Sequence, residues 1–358
     1  MLIDPISVLL TGSSGLVGGA IRDRVLELPA VRPILASRSL SGGRDEEQVL
    51  FDLEDSNIGT GLRAALDKTS VVIHCAARVH VIDDAAADPL TAFRAVNTAA
   101  TLELAHAAAQ AGVRRFIFLS SIKVNGESTP AGQPFTADDP CAPTDPYALS
   151  KWEAEQGLRR LSRDTGMEVV IIRPPLVYGP GVKANFRSLL KWIKRGAVFP
   201  LGSVDNQRSL VGLDNLVDLI ITCIDHPGAA NQTFLVSDNE DLSTPGLIEC
   251  LSRAMGRSPR LLPCPVSLLR LGARLVGRED SLSRLCDSLQ VNMSHTMDTL
   301  GWKPPVSVED GIQKTVDDFM DRRFGGEPKQ SYKEIRGEGA APTGTAPTGC
   351  SRGKSRDA

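Results

Sequence analysis

The first 28 residues constrain the fold more than any other stretch. Ile6 to Thr11 is a short apolar run that ends in Thr11-Gly12-Ser13-Ser14-Gly15-Leu16-Val17-Gly18-Gly19, and Leu16 to Leu28 then carries helical apolar spacing until Pro29. That order is strand, tight turn, helix. Further apolar runs follow at Pro33 to Ala36, Val49 to Phe51, Val71 to Cys75, Phe116 to Leu119 and Val169 to Ile172. Helical segments separate them, notably the alanine-rich stretch Leu90 to Ala111. Strands alternating with helices at these intervals join through crossovers, so the predicted fold is α/β, a Rossmann-type doubly wound parallel sheet.

At 358 residues with 42% hydrophobic content, the chain has room for one large α/β domain and a smaller lobe. The alternation weakens after Arg173-Pro174-Pro175. Helical patterns at Phe186 to Lys194 and Leu213 to Ile224 then mix with short strand candidates such as Thr233 to Val236. The expected division is a dinucleotide-binding domain over 1–175, completed by returning segments from the second half. A smaller mixed α/β C-terminal substrate lobe covers 176–324, and a disordered tail covers 325–358. A last helix is expected at Val308 to Arg323. The tail is rich in Gly, Pro, Ser and charge and repeats Ala-Pro-Thr-Gly at 341–344 and 346–349.

The formal net charge of -3 and pI near 6.0 give no global basic field, which argues against nucleic acid or an anionic membrane as the main partner. Seven cysteines, at 75, 141, 223, 250, 264, 286 and 350, form no Cys-x-x-Cys pair and no regular spacing with histidine, so neither a disulfide framework nor a metal site is expected. Reduced thiols, no basic leader and no apolar segment long enough to span a bilayer point to a cytoplasmic protein with no membrane insertion.

The glycine loop is the expected cofactor site. Gly12, Gly15 and Gly18 stand at three-residue intervals between a strand and a helix. Without side chains there, the backbone of Gly12, Ser13, Ser14, Gly15, Leu16, Val17 and Gly18 can approach a pyrophosphate at the helix N-terminus. The second strand ends at Ala36-Ser37-Arg38 rather than in an acidic residue that would accept from an NAD ribose. Arg38 suits a 2′-phosphate and favours NADP(H), with NAD still open; the alternative is a surface arginine, with Arg44 nearby. Asp52 and Leu53 follow the third strand, where the carboxylate suits the adenine amino group or is simply solvated. Cys75, Ala76 and Ala77 end the fourth strand with small side chains that let a cofactor pass close. His74 reads as a strand-end core histidine. Asn97, a poor helix former inside the alanine-rich stretch, suits an internal hydrogen bond near the site.

The reacting groups are expected at Ser121, Tyr147 and Lys151. In Pro146-Tyr147-Ala148-Leu149-Ser150-Lys151 the tyrosine and lysine are four apart and share a helix face, so the ammonium is expected beside the phenol, favouring its ionised form. A tyrosine so tuned serves as general acid or base. Ser121, at the end of an apolar strand, would hold a carbonyl or hydroxyl in the same place.

The glycine loop, Ser120-Ser121, Tyr147-x-x-x-Lys151 and Arg173-Pro174-Pro175-Leu176-Val177-Tyr178-Gly179-Pro180 together resemble the extended short-chain dehydrogenase/reductase family of nucleotide-sugar epimerases, dehydratases and reductases, over about residues 5–323. The resemblance implies an NAD(P)-dependent enzyme acting on a UDP-sugar and a homodimer formed through the helices within 90–111 and 147–163. It gives Tyr147 the acid/base role, Lys151 the nicotinamide ribose and Ser121 the reacting oxygen. Pro174 and Pro175 fall beside the cofactor, and Tyr178, Asn185 and Arg208 in the substrate site. More narrowly, Ala76-Ala77-Arg78-Val79-His80-Val81, Ser120 to Glu127 and Asp145-Pro146-Tyr147 look like bacterial reductases of UDP-4-keto-6-deoxy-N-acetylhexosamine, which supply UDP-N-acetylquinovosamine or UDP-N-acetylfucosamine for O-antigen. Val291-Asn292-Met293-Ser294-His295 stands where Val-Asp-x-Ser-Lys is expected in a subgroup. Ile122-Lys123 replaces the Asp-Glu pair a 4,6-dehydratase needs, and isoleucine exchanges no proton. The leading expectation is therefore a 4-keto reductase, with a UDP-hexose 4-epimerase as the alternative. A non-catalytic NADP-binding regulator is the reading from another class.

Overall fold

A computed structural model describes residues 4–40, 47–55, 58–79 and 88–321. Arg44, His80, Val81, Cys350 and the tail from 325 lie outside them. Strand β1 (Ile6–Thr11) leads through the glycine turn into helix α1 (Leu16–Leu26), followed by β2 (Val31–Ser37), β3 (Glu47–Leu50), α2 (Thr60–Leu66) and β4 (Val71–His74). Helix α3 (Pro89–Phe93) continues through a π-helical turn, Arg94–Ala100, into α4 (Thr101–Gln110). Then come β5 (Arg115–Leu119), a 3-10 turn at Ile122–Val124, α5 (Pro146–Thr165) and β6 (Glu168–Arg173).

These strands, with β9 (Thr233–Leu235), form a seven-stranded sheet in the order β3-β2-β1-β4-β5-β6-β9. Every pairing in it is parallel. The order reverses between β1 and β4, whose carboxyl ends open the crevice where α/β sheets bind ligands. The doubly wound expectation is met. Pro33 sits inside β2, but pairing with β3 begins only at Ile34, so its missing N–H costs nothing on that side.

Two cores cover the sheet. On one face Val8, Leu10, Ile73, Ile117, Val170 and Ile172 pack against α1 and α7 (Leu213–Thr222). On the other, Leu9, Ile34, Val72, Phe116 and Ile171 pack against Leu104 of α4 and Leu158 of α5. Alternate residues of each strand feed opposite faces, which is why the strands read as continuous apolar runs. A third core joins Tyr178 of β7 (Leu176–Tyr178), α6 (Ala184–Lys194), Leu210 of β8 (Leu210–Gly212), α8 (Thr244–Ala254) and α12 (Val308–Asp321). β7 and β8 pair as a separate two-stranded parallel sheet. Helices α9 (Val266–Leu275), α10 (Glu279–Cys286) and α11 (Ser294–Leu300) complete the described chain.

α5 is the element that positions the site. Asp145 caps it by accepting from Ala148 N at 2.6 Å, Pro146 occupies the first turn, and Gly166 ends it in the left-handed conformation at φ 77°. Ser150, Lys151, Ala154, Glu155, Leu158 and Leu161 form its buried stripe.

Candidate active site

The turn between β1 and α1 admits only glycine at two places. Gly12 has φ 74°, and a Cβ there would lie 2.7 Å from the Ala76 backbone nitrogen. A Cβ on Gly18 would meet the Gly12 carbonyl oxygen at 2.1 Å. Ser14 and Gly15 are exposed at the open N-terminus of α1, Leu16 and Val17 are half-buried, and Ser13 is buried. This bare backbone at a helix N-terminus fits a dinucleotide pyrophosphate. Cys75, Ala76 and Ala77 border it, half-buried, at the end of β4. Arg38 is exposed just past β2, while Asp52 accepts from Glu54 N at 3.1 Å beside the partly buried Leu53. Pro174 and Pro175 are buried past β6, and the Pro174 carbonyl accepts from Ile122 N at 3.0 Å.

Ser121 lies near enough to Tyr147 to pull its phenol toward ionisation, so the end of β5 meets the first turn of α5, and Ser121 Oγ accepts from Lys123 N at 3.3 Å. Phe93 meets the Tyr147 ring edge-on, with centroids 6.1 Å apart. Lys151 Nζ donates to the Leu119 carbonyl at 2.9 Å and sits 4.4 Å from the centre of the Phe118 ring. Burial, followed by the negative charge of Asp145, pushes the Tyr147 phenol up to about 12, against the pull of the nearby Ser121 hydroxyl. The shared helix face was expected to favour ionisation, and in this arrangement the phenol is instead held protonated. Burial lowers Lys151 to about 8, opposed by Cys75 and Glu155.

Several further groups support the site, of which Glu155 left no mark in the sequence pattern. Glu155 is fully buried and accepts from Ser120 Oγ at 2.5 Å and from Arg173 Nε at 2.9 Å and Nη2 at 2.5 Å. Arg173 also donates to Asn125 Oδ1 at 2.9 Å, fastening β6 beneath the Ser121 loop. Lys123 bridges two carboxylates, Asp145 at 2.6 Å and Glu127 at 2.7 Å. Burial drives the Asp145 carboxyl up, but the bonds from Lys123 and Ala148 N outweigh it and leave the group below its ordinary value. His74, between Thr11 Oγ1 at 2.8 Å and Thr101 Oγ1 at 3.0 Å, is lowered to about 3 by burial and then by Lys151. It is a neutral strut between β1, β4 and α4.

One expectation is met and one is corrected. Asn97 makes the internal hydrogen bonds expected of it: it is buried in the π-helical turn, accepts from Arg78 N at 2.8 Å and donates to Arg78 O and Ser150 Oγ, both at 3.1 Å. With both amide hydrogens used, it ties the 75–79 loop to α5. Tyr178 lines no sugar pocket: it is fully buried, stacks on Phe186 and donates to Asp238 Oδ2 at 2.7 Å. Asn185 is exposed in the first turn of α6. Arg208 is half-buried, donates to the Asp287 carbonyl at 2.9 Å and feels the charges of Asp287 and Glu127. Asn292 of the 291–295 segment donates its N–H to Phe135 O at 2.8 Å, and His295 stacks on Phe234. Among the described residues no cluster of His, Cys, Asp and Glu is arranged for a metal ion, and no helix is long and apolar enough to cross a membrane.

The profile of the NAD dependent epimerase/dehydratase family matches residues 8–237. A Vibrio cholerae protein named UDP-glucose 4-epimerase is 49% identical over 318 residues, which is 88% of this chain and 96% of that relative. A protein of the same name from Mycolicibacterium smegmatis is 30% identical over 339 residues, 88% of this chain and 98% of the relative. Among solved structures, UDP-glucose 4-epimerase of Thermotoga maritima with UDP-glucose superposes with a TM-score of 0.69 at 21% identity, covering 89% of this chain and 100% of that one, a likeness of fold. With that profile lying over the glycine cradle, Ser121, Tyr147 and Lys151, and with the similarity running nearly the length of two relatives, the chain belongs to the NAD dependent epimerase/dehydratase family.

Proposed function

We propose that this protein is a UDP-hexose 4-epimerase. The observation that carries the reading is the meeting of Ser121 and Tyr147 at the carboxyl edge of the sheet, next to the bare glycine turn. The 49% identity to a relative named UDP-glucose 4-epimerase supports it. Gly12, Ser14, Gly15 and the first turn of α1 would hold the dinucleotide pyrophosphate, and Lys151 the ribose next to the nicotinamide. When bound, that group supplies hydride transfer at sugar C4, taken and returned in epimerisation or given once in reduction of a 4-keto sugar. Ser121 Oγ would hold the C4 oxygen; Tyr147, protonated as it stands here, would first have to lose its phenolic proton in the loaded site, after which its Oη would take the C4 hydroxyl proton and return it once the sugar has turned over. Arg208 would make charge-assisted bonds to the UDP diphosphate. Ile122 exchanges no proton and Lys123 is held by two carboxylates, so the chain lacks the acid/base pair that 4,6-dehydration requires.

Arg38 favours a second reading, the 4-keto reductase. Exposed past β2, where an acidic ribose acceptor is missing, it suits the 2′-phosphate of a cofactor that is exchanged at every turnover. Incubation with UDP-glucose or UDP-GlcNAc without added cofactor, with sugars resolved by NMR, separates the two. Appearance of the C4 epimer supports the epimerase. No epimer, together with stoichiometric loss of NADPH or NADH absorbance on a UDP-4-keto-6-deoxy-N-acetylhexosamine, replaces it with the reductase.

A further inference from the structure

One face of the second half of the chain combines exposed apolar side chains with unopposed positive charge. Helices α9 and α10 contain no buried residue. Val266 and Leu269 of α9 pack on the third core, while Leu268, Leu271 and Leu275 are 59%, 55% and 80% exposed. Spacings of three and four residues gather those leucines on the outward face. Trp192 and Val198, at the end of α6, and Leu262 are also exposed. Phe199 N donates to Arg260 O at 2.8 Å and Leu262 N to Phe199 O at 2.9 Å, so the end of α6 and the approach to α9 form one continuous surface.

Its charge is strongly one-sided. Arg187, Lys191, Lys194 and Arg195 follow one another at helical spacing on and just past α6. Residues 187–197 and 253–286 together carry eleven lysines and arginines against two acidic residues, in a chain whose net charge is -3. Of these eleven cations, among the described residues, only Arg270 with Asp287 at 3.0 Å and Arg274 with Glu279 at 2.5 Å are in ion pairs. A cavity of about 190 Å³ opens between the two segments, lined in part by Ser252, Arg257, Ser258 and Arg260.

We propose that this face docks peripherally on an anionic lipid bilayer, with Trp192 and the α9 leucines entering the headgroup boundary and Arg257 and Arg260 taking a lipid phosphate in the cavity. Apolar side chains flanked by cations are what an interface of hydrocarbon and anionic headgroups complements. A second copy meeting this face about a two-fold axis would set like charges against each other. The surface lies on the bilayer and does not cross it, since no described helix is long and apolar enough.

Flotation of the full chain with neutral phosphatidylcholine vesicles, and with vesicles carrying about one third phosphatidylglycerol, at about 0.1 M and 0.5 M salt, tests this. The chain is expected to float with the anionic vesicles alone and to be released at the higher salt. Leu268→Ser/Leu271→Ser/Leu275→Ser and Arg257→Ala/Arg260→Ala are each expected to lower partitioning about tenfold. The leucines are exposed, so an unchanged melting temperature should accompany the loss; if that variant does not fold, the arginine pair decides. Equal flotation with neutral and anionic vesicles would overturn the proposal. So would variants that partition like the wild type, or a wild type that stays soluble and becomes monomeric only in the leucine variant.

Discussion

The floor of the site and its rim are built on opposite electrostatic plans. In the floor, His74, Asn97, Glu155 and Arg173 are buried and nearly every polar atom is spent on a partner more than fifteen residues away. At the rim, Lys123, Glu127, Asp145 and Arg208 keep part of their side chains in solvent and influence one another by charge as well as by contact. The floor resists change because breaking a buried pair strands a charge; the rim tunes, because water screens much of what is altered there.

The sharpest test of this contrast lies where the two plans meet. Tyr147→Phe removes only a hydroxyl and should lower turnover by roughly 10³-fold or more, while cofactor affinity and melting temperature stay near wild type. Wild-type turnover in that variant would remove Tyr147 from the chemistry. Glu155→Gln leaves Arg173 without a counter-ion beneath Ser120 and should cost about 3–5 kcal/mol in denaturant unfolding. A loss below about 1 kcal/mol would mean that the floor is no more rigid than the rim.

Rim substitutions should move a pH profile more than stability. Asp145 raises the Tyr147 phenol, so Asp145→Asn, which keeps an N-cap acceptor, should carry the Tyr147 limb of the kcat/KM profile toward acid. Lys123→Met leaves Asp145 and Glu127 unopposed and should carry it toward alkali, each by about one pH unit. Shifts in the same direction would show that structure, not charge, links these groups to the tyrosine. The smallest effect belongs to the exposed cofactor rim. Arg38→Ala should weaken NADPH about tenfold and NADH little, and equal losses in a binding titration would refute a 2′-phosphate contact.

Some of this was legible in the sequence because the signals are local. The β1 turn, the Asp145-Pro146 helix start and the four-residue spacing of Tyr147 and Lys151 each declare themselves within one or two turns of chain. The alanine-rich stretch was also read as helical, but its π-helical turn at Arg94–Ala100, which aims Asn97 at Arg78 and Ser150, carries no periodic mark. Tyr178 shows the limit of motif reading. A tyrosine beside Gly179-Pro180 looks like a pocket residue until β7 pairs with β8 and buries it against Phe186. The net charge of -3 shows another limit, because a sum over the chain hides the local run of lysines and arginines in 187–197 and 253–286.

The amino-acid sequence alone determined the order of strands and helices and the bare backbone of the glycine turn, and it singled out Ser121, Tyr147 and Lys151 as the candidate reacting side chains, since apolar period, glycine geometry and helix spacing act over a few residues. Only the tertiary structure decided that Lys151 reaches Leu119, that Glu155 and Arg173 meet under the site and that the Tyr147 phenol is held up rather than down. Those outcomes depend on which distant segments exclude water and place charge beside each group, and desolvation and Coulomb energies belong to the assembled surroundings, not to the residue.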